Sequence, residues 1–316
     1  MVLPRLELGS LDSESKMLTN YTIGPYVTYY IEKTIVLFIN ILILSIYNAD
    51  IKRSSSLQLQ MNKYLRQQTL KEFTKEQEQC IHESSVCCIG AGGVAASFLE
   101  FIVGAGIKQL IIVDFDTVDK TNLHRQVLHS EIGADKKLNK ALSAKERLNN
   151  LNSDVDIVTI QEKLTPANIS CLDDYSFQVM VDATDNPETR FLVAEYCFKR
   201  KIPHIYAAAV CFTCYVSTFN VVLDQPCFKC FFPKIPPQNL RQTAATDGVF
   251  GPVVGVAGCQ AAAECLKVLT YQNTDESIKR ENLLIGKMMI GNVLTNNYRI
   301  VRLSTKKDCM CQKLTE

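Results

Sequence analysis

Tryptophan is absent from this chain of 316 residues, histidine occurs only four times, and neither sign of charge is in excess. Lys and Arg number 34 and Asp and Glu number 33, so the formal net charge is +1. A nucleic-acid-binding protein usually carries a basic excess, and the even balance therefore argues against that class. Only 21% of the residues are charged and 47% are apolar. This composition argues against global disorder and supplies enough apolar side chains for a sizeable core.

A full-length membrane span is also missing from the first 60 residues. The uncharged run from Thr34 to Ala49 is shorter than the roughly 20 apolar residues that cross a bilayer, and it begins too far from Met1 for a cleaved signal peptide. Three interpretations stay open: a short membrane anchor, a peripheral helix, or an artefact of gene prediction such as translated intron. We favour the artefact, or a loosely ordered extension, over the anchor. The sequence thus predicts an extension over residues 1–60 and a folded domain over residues 61–316, with membrane contact only if the run is a true anchor.

Thirteen cysteines are present, but they lack the spacing of a small secreted disulfide scaffold. Many stand inside apolar runs, as Cys87 and Cys88 do. Buried free thiols are typical of such positions. The cysteines therefore predict a reducing environment and a cytoplasmic location.

A glycine-rich turn between two apolar segments predicts a nucleotide-binding unit. The strand candidate Ser85 to Gly90 leads into Gly90-Ala91-Gly92-Gly93, a helical pattern follows as far as Val103, and a second strand candidate, Gln109 to Asp114, ends in an acid. The glycines let the backbone approach phosphate, the helix N-terminus favours anions, and Asp114 is placed to meet a ribose hydroxyl. The simpler alternative is a tight turn without a ligand. The unit predicts an α/β fold with a Rossmann-like, doubly wound, mainly parallel sheet.

Polar residues downstream favour triphosphate chemistry over nicotinamide chemistry. A second acid, Asp116, is followed by Asn122 and Arg125, and a cation beside a phosphate turn suits a triphosphate. The acid Asp185 follows another apolar segment and can hold Mg²⁺ at a strand end, or cap a helix that begins at Pro187. A nicotinamide-dependent oxidoreductase stays open as a rival, although it leaves Arg125 and Asp185 together unexplained.

Five motifs in a fixed order resemble one known family. They are Gly-Ala-Gly-Gly, Asp-Phe-Asp, Asn-Leu-His-Arg-Gln, Thr-Asp-Asn and Cys-Phe-Lys-Cys, spread from about Lys63 to the C-terminus. In this combination the chain resembles the ThiF/MoeB/HesA family of ubiquitin-activating-type adenylyltransferases. The likeness is greatest to the adenylyltransferase part of eukaryotic molybdopterin-synthase sulfurylases and activators of ubiquitin-related modifiers.

The resemblance implies a reaction and its participants. The C-terminal Gly-Gly carboxylate of a ubiquitin-like sulfur carrier attacks the α-phosphorus of ATP, with Mg²⁺ present, and pyrophosphate leaves an acyl-adenylate. It also implies a homodimer in which Arg66 reaches into the partner's site. For the phosphate lysine, Lys136, Lys137 and Lys140 are candidates, and the spacing to the following segment favours Lys140. The remaining positions that match the family's nucleotide site are Gly90, Gly92, Gly93, Asp114, Asp116, Asn122, Arg125, Asp185 and Asn186.

Two cysteine pairs predict a structural zinc site. Cys227 and Cys230 form one pair, and Cys309 and Cys311 form the other near the C-terminus. Separated pairs with chelate spacing are typical of Cys₄ zinc sites, and the resembling family has one at these places. The last pair normally has two intervening residues but has one here, so four free or oxidised thiols remain the alternative.

The sequence departs from the sulfurylase group at one position, since Ala244 stands where that group keeps its sulfur-transferring cysteine. We also expect the chain to lack the C-terminal rhodanese domain of that group. Cys211 and Cys214 lie in a strand-like stretch and are predicted to be core residues. Adenylation needs neither feature, because its nucleophile is the carrier carboxylate, so we expect adenylation here and a separate sulfur donor. A catalytically impaired scaffold that binds a ubiquitin-like protein stays open as a second rival.

The remaining elements complete the predicted fold. Cys211 to Leu223 and Met288 to Leu303 predict added antiparallel strands. Gly251 to Tyr271 predicts a long apolar helix between the sheet and a partner subunit. Phe232 to Thr246, which contains three prolines, predicts a mobile crossover loop that closes over the carrier's tail.

Overall fold

Eight strands form one sheet in a computed structural model that describes residues 63–307, Cys309 and Cys311. The predicted boundary near residue 60 and the apolar run from Thr34 to Ala49 lie outside the described residues. Residues from Arg66 onward belong to one compact unit. The strands are β1 (Ser85–Ile89), β2 (Gln109–Val113), β3 (Asp156–Ile160), β4 (Val179–Asp182), β5 (His204–Val210), β6 (Thr213–Phe219), β7 (Lys287–Asn292) and β8 (Asn297–Arg302).

Helices connect the strands, and most of them pack on the sheet. They are α1 (Leu65–Gln68), α2 (Lys75–Glu83), α3 (Gly93–Ala105), α4 (Glu131–Asp135), α5 (Lys140–Leu151), α6 (Pro187–Arg200), α7 (Phe228–Phe231), α8 (Gly251–Thr270) and α9 (Glu276–Asn282). Short 3₁₀ turns occupy Lys120–Asn122, Ile169–Asp174 and Gln238–Leu240.

The sheet order is β3-β2-β1-β4-β5-β6-β7-β8, parallel from β3 to β5 and antiparallel from β5 to β8. This confirms the predicted α/β class and the added antiparallel strands. The segment Met288 to Leu303 is a hairpin of β7 and β8, and Cys211 and Phe212 form the tight turn between β5 and β6.

The central strands are apolar because helices cover both of their faces. All five residues of β1 are buried, as parallel strands between two helical layers require. Val86 and Cys88 contribute to a core with α3, α5 and α8, whereas Cys87 and Ile89 face the opposite core with α6. Alternation along a strand therefore divides the molecule into three layers.

Helix α8 confirms the predicted long apolar helix and lies against α3. Among the helices that the structure describes, α8 is the one that is long and apolar enough to cross a membrane. However, 61% of its most apolar stretch is buried inside the fold. Gly258 is the point of closest approach, because a Cβ there would collide with the side chain of Ser97 and the carbonyl of Val94 on α3. The absence of a side chain at this position lets the two helices meet.

The outer strand β8 is exposed along all six of its residues. Tyr298 is 51% exposed and Ile300 is 61% exposed, and Arg299 and Arg302 lie on the same strand. No further strand pairs with β8 among the residues that the structure describes. The sheet thus ends in an open edge that carries both apolar and cationic side chains.

Substituting Gly258→Ala should lower the free energy of unfolding by about 1–3 kcal/mol, because the added methyl group must force α3 and α8 apart. Chemical denaturation monitored by circular dichroism measures this. Gly104→Ala on α3 is the matched control, since nothing lies within 4 Å of a Cβ at that position. The control should be neutral or stabilising by up to about 1 kcal/mol, as alanine is the better helix former. Equal effects of the two substitutions would contradict the close-approach argument.

Candidate functional site

A cleft of about 880 Å³ lies at the carboxyl ends of the parallel strands. The strand order reverses between β1 and β4, since β1 leads to β2 on one side and β4 lies on the other. Loops that leave neighbouring strands in opposite directions open a crevice at such a point, and ligands of doubly wound sheets bind there. The cleft therefore occupies the position that the sequence analysis predicted for the nucleotide.

The glycine turn forms one wall of this cleft. Gly90 has φ +100°, and a Cβ there would lie 3.0 Å from the carbonyl oxygen of Ala183 at the end of β4. Helix α3 begins at Gly93, and its N-cap Gly92 provides no side-chain cap for the first backbone N–H groups. Gly90, Gly92 and Gly93 all line the cleft. Uncapped N–H groups and the positive end of the helix dipole make this wall suitable for phosphate.

Asp114 is fixed by the same turn. Its Oδ2 accepts a hydrogen bond of 2.7 Å from the N–H of Ala91, and its Oδ1 accepts one of 2.9 Å from the N–H of Asp116. Burial raises the pKa of Asp114, and the two backbone hydrogen bonds oppose that rise. The carboxylate is thus rigidly oriented in the wall of the cleft.

Lys140 is the only one of the three candidate lysines that lines the cleft. Its Nζ lies 3.0 Å from Oδ2 of Asp116, and only 8% of its side chain is exposed. Lys136 and Lys137 are exposed. Of the three candidates, the structure therefore places Lys140, the first residue of α5, in the cleft beside Asp116.

Arg125 and Asp185 both line the cleft at the side where the second cavity adjoins it. The Nη2 of Arg125 donates a 2.6 Å hydrogen bond to Oδ1 of Asn122. Partial burial lowers the pKa of Arg125, and the carboxylate of Asp185 opposes this. Asp185 is exposed and has no hydrogen-bond or ion-pair partner among the described residues. Its carboxylate is therefore available to a metal ion or a ligand.

The helix cap at the end of β4 is Asn186, so the alternative role of Asp185 as the cap is wrong. The Oδ1 of Asn186 accepts a 2.8 Å hydrogen bond from the N–H of Thr189. Asn186 also lines the cleft. Asn186 therefore caps α6, and its neighbour Asp185 presents a carboxylate to the cleft. The two roles that the sequence analysis left open for Asp185 thus belong to two different residues.

Two residues that the sequence analysis missed hold the loop of Asp185. Asp182 accepts hydrogen bonds from the N–H and the hydroxyl of Thr184, at 3.0 and 2.7 Å. Arg190 donates two hydrogen bonds to the Thr184 carbonyl, at 2.6 Å from Nη2 and 3.2 Å from Nε. Asp182 could have been found from the sequence, because it is an acid inside an apolar strand. No feature of the neighbouring sequence indicates the role of Arg190.

A second cavity, of about 1400 Å³, adjoins the cleft. The two share Arg125, Asp185, Asn186 and Ala244. The remaining walls of the second cavity come from the 3₁₀ turn around Asn122, from the start of α6 and from the crossover loop. A ligand in the second cavity would therefore meet a nucleotide in the first at Arg125 and Asp185. Arg66 is exposed and lines neither cavity, so a role for it at such a site requires a second subunit.

The four predicted metal cysteines converge. Their Sγ atoms all lie within 4.8 Å of one another, with Cys227 3.3 Å from Cys309 and Cys230 3.4 Å from Cys311. Zinc bound to four sulfurs at about 2.3 Å needs sulfur separations of about 3.8 Å. The single intervening residue in the last pair therefore does not prevent convergence, and the cluster fits a metal ion. All thirteen cysteines of the chain are free of disulfides.

His129 ties the glycine turn to α5. Its Nε2 lies 2.8 Å from the Ala91 carbonyl and its Nδ1 3.0 Å from the Ser143 hydroxyl. Because a carbonyl only accepts, the neutral Nε2–H tautomer satisfies both contacts. Burial lowers the pKa of His129 below its ordinary 6.5, and the ammonium of Lys140 adds to the effect.

In the unfolded chain this histidine takes up a proton near its ordinary pKa of 6.5, whereas in the folded protein it does so only at lower pH. The contribution of neutral His129 to the free energy of unfolding should therefore be present above pH 6.5 and decrease as the pH falls below it. We expect the free energy of unfolding to decline between about pH 7.5 and about pH 5, and to decline less in His129→Gln. Urea denaturation across this range measures it. His124→Gln, at an exposed position, is the control and should retain the wild-type slope. An unchanged slope in His129→Gln would contradict the assignment.

Comparisons with known proteins identify the family of this chain. The profile described as "ThiF family" matches residues 64–313. "Adenylyltransferase and sulfurtransferase MOCS3" of Aedes aegypti is 33% identical over 249 residues, covering 78% of this chain and 54% of that protein. "Adenylyltransferase and sulfurtransferase UBA4" of Meyerozyma guilliermondii is 32% identical over 272 residues, covering 84% and 61%. The chain thus spans between one half and two thirds of the length of these relatives.

Solved structures show the same fold. E. coli MccB with ATP superimposes with a TM-score of 0.66 at 20% identity, over 79% of this chain and 74% of that one. E. coli MccB with succinimide gives a TM-score of 0.63 at 23% identity, over 74% and 68%. The profile match over most of the chain and the curated relatives above 30% identity establish its family. The chain belongs to the ThiF family.

Proposed function

We propose that this protein is an adenylyltransferase that activates the C-terminal glycine of a ubiquitin-like sulfur carrier with ATP. One observation carries the proposal: a single cleft combines an uncapped helix N-terminus, the cations Lys140 and Arg125, and the unpartnered carboxylate of Asp185. That set suits a triphosphate and a divalent ion. It does not suit a nicotinamide, which would leave Lys140, Arg125 and Asp185 without a purpose.

The cleft residues divide the work of binding the nucleotide. The N–H groups at Gly92 and Gly93 face the phosphates, and Asp114 is oriented toward a ribose hydroxyl by its two backbone hydrogen bonds. Lys140 and Arg125 oppose the charge that develops on the phosphates and on the departing pyrophosphate. Asp185 would hold Mg²⁺, which neutralises phosphate charge when bound.

The second cavity would hold the carrier's C-terminal tail. It opens into the nucleotide cleft at Arg125 and Asp185, so a carboxylate that enters it approaches the α-phosphate end of a bound nucleotide. Positioning the carboxylate for in-line attack is the main task of the protein, because the carboxylate itself is the nucleophile. Asn122 and Asn186 supply polar contacts along this cavity.

Several finer statements belong to the same proposal. The protein works as a homodimer in the cytoplasm, Arg66 completes the partner's site, and sulfur comes from a separate donor protein.

Ala244 lines both cavities but offers no nucleophilic atom. Cys214 is fully buried, and burial raises the pKa of its thiol, so it is not a substitute. Cys211 is only half-buried, at the hairpin turn, and was wrongly predicted as a core residue.

Asp185→Asn should reduce carrier-dependent ATP–pyrophosphate exchange by about a hundredfold or more, because it removes a charged contact at the phosphates. The assay should be run with each carrier class: the small subunit of molybdopterin synthase, the thiamine sulfur carrier and a ubiquitin-related modifier. Asp174→Asn, in an exposed 3₁₀ turn outside both cavities, is the control and should retain full activity. Normal exchange in a folded Asp185→Asn protein, or no exchange by the wild type with any carrier, would refute the proposal.

The purified protein should contain about one zinc ion per chain, held by Cys227, Cys230, Cys309 and Cys311 and serving stability. Elemental analysis should find the metal, and a strong chelator should lower the melting temperature. Cys309→Ser should lose the metal. Cys259→Ser removes an exposed thiol on α8 that is not one of the four metal cysteines, and this variant should keep the metal. A metal-free preparation of unchanged stability would show that the four sulfurs do not form a zinc site.

Incubation with ATP and the carrier should yield acyl-adenylate and pyrophosphate but no thiol-labile conjugate of carrier and enzyme, since no cysteine occupies position 244. Mass spectrometry with and without added thiol distinguishes the two products. Installing Ala244→Cys provides the positive control. An adduct that maps to Cys211 of the wild type would show that this chain carries sulfur chemistry of its own.

A further inference from the structure

One arginine joins the crossover loop to the helix at the nucleotide cleft. The Nη1 of Arg241 lies 2.7 Å from Oε1 of Glu188, the second residue of α6. The Nε of the same guanidinium donates a 2.9 Å hydrogen bond to the carbonyl of Pro236, five residues earlier in the loop. A single side chain therefore fixes the shape of the loop and ties it to another element 53 residues away.

This ion pair lies in the wall of the second cavity. Both Arg241 and Glu188 line that cavity, and neither lines the nucleotide cleft. Glu188 follows Asp185 and Asn186, which border both cavities. The hydrogen bond from its own backbone N–H lowers the pKa of Glu188, and the guanidinium of Arg241 adds to this, so the carboxyl group is ionised at neutral pH.

The downstream part of the loop is closed by its own side chains. The N–H of Thr243 donates to Oδ2 of Asp247 at 3.1 Å, and the hydroxyls of Thr243 and Thr246 lie 2.9 Å apart. Four consecutive residues of this turn, from Thr243 to Thr246, line the second cavity. The loop is therefore held at two points, by the ion pair of Arg241 and by the hydrogen bonds of this turn.

We propose that the Arg241–Glu188 ion pair is a latch that holds the crossover loop as the wall of the second cavity, which makes Arg241 a positioning residue for the C-terminal tail of the acyl substrate. The inference rests on the proposed function for the identity of that substrate. The nucleotide cleft takes one lining residue from the loop, Ala244, so the latch acts on the tail and leaves ATP binding unaffected.

The size of the effect follows from the exposure of the pair. The side chains of Arg241 and Glu188 are 25% and 56% exposed, and ion pairs with this degree of exposure change equilibria by roughly fivefold at most. Arg241→Ala should therefore raise the KM for the carrier about fivefold, with the KM for ATP unchanged. It should also increase deuterium uptake in peptides that cover residues 232–246 of the free protein. Glu188→Ala should reproduce both changes.

Two further variants separate a latch from a general loss of structure. Arg241→Lys keeps the charge and should recover most of the wild-type carrier KM. Lys199→Ala removes a comparable surface ion pair, with Glu195, at the other end of α6, and should change neither readout. High salt should bring the wild type toward the Arg241→Ala values, because exposed ion pairs are screened.

The outcomes separate the latch from the enzymatic activity. Unchanged deuterium uptake in both Arg241→Ala and Glu188→Ala would overturn the latch. Increased uptake with an unchanged carrier KM would overturn the positioning role. Increased uptake that Arg241→Lys reverses, in a protein that shows no exchange with any carrier, would leave the latch standing and refute the proposed function.

Discussion

The close approach of β1 and β4 at their carboxyl ends is the constraint on which the site depends. Gly90 stands against the carbonyl of Ala183, where any side chain would force the strands apart. This contact places the start of α3 and the loop of Asp185 in the wall of the same cleft. The nucleotide cleft is thus a consequence of strand packing, and its charged side chains are additions to it.

Most of the nucleotide cleft could be predicted because its signals are local in sequence. A strand, three glycines, a helix and a terminal acid occupy one continuous segment, from Ser85 to Asp114. The glycines indicate a close approach of the backbone to a ligand, and the acid indicates a charged contact with it. Because the carboxyl ends of parallel strands share one edge of a sheet, the position of Asp185 after another strand was enough to predict that it lies at this cleft. The choice of Lys140 depended on the resemblance to the family together with its spacing to the segment that follows.

The parts that could not be predicted depend on contacts between distant segments. Arg190 supports Asp185 through the carbonyl of Thr184, and a backbone carbonyl leaves no mark in the sequence. The pairing of Arg241 with Glu188 is one of many possible pairings between surface charges. The four-cysteine cluster was predicted, but the path that brings Cys309 and Cys311 back to α7, through β7 and β8, could not be read from the cysteine spacing.

The exposed strand β8 constrains how this protein behaves at high concentration. An edge strand with free backbone groups and apolar side chains such as Tyr298 and Ile300 is a template for association between copies. Arg299 and Arg302 oppose this, because two copies that paired edge to edge would gather four guanidinium groups on one short ribbon. Among the residues that the structure describes, these two arginines, and no covering helix, oppose extension of the sheet at this edge.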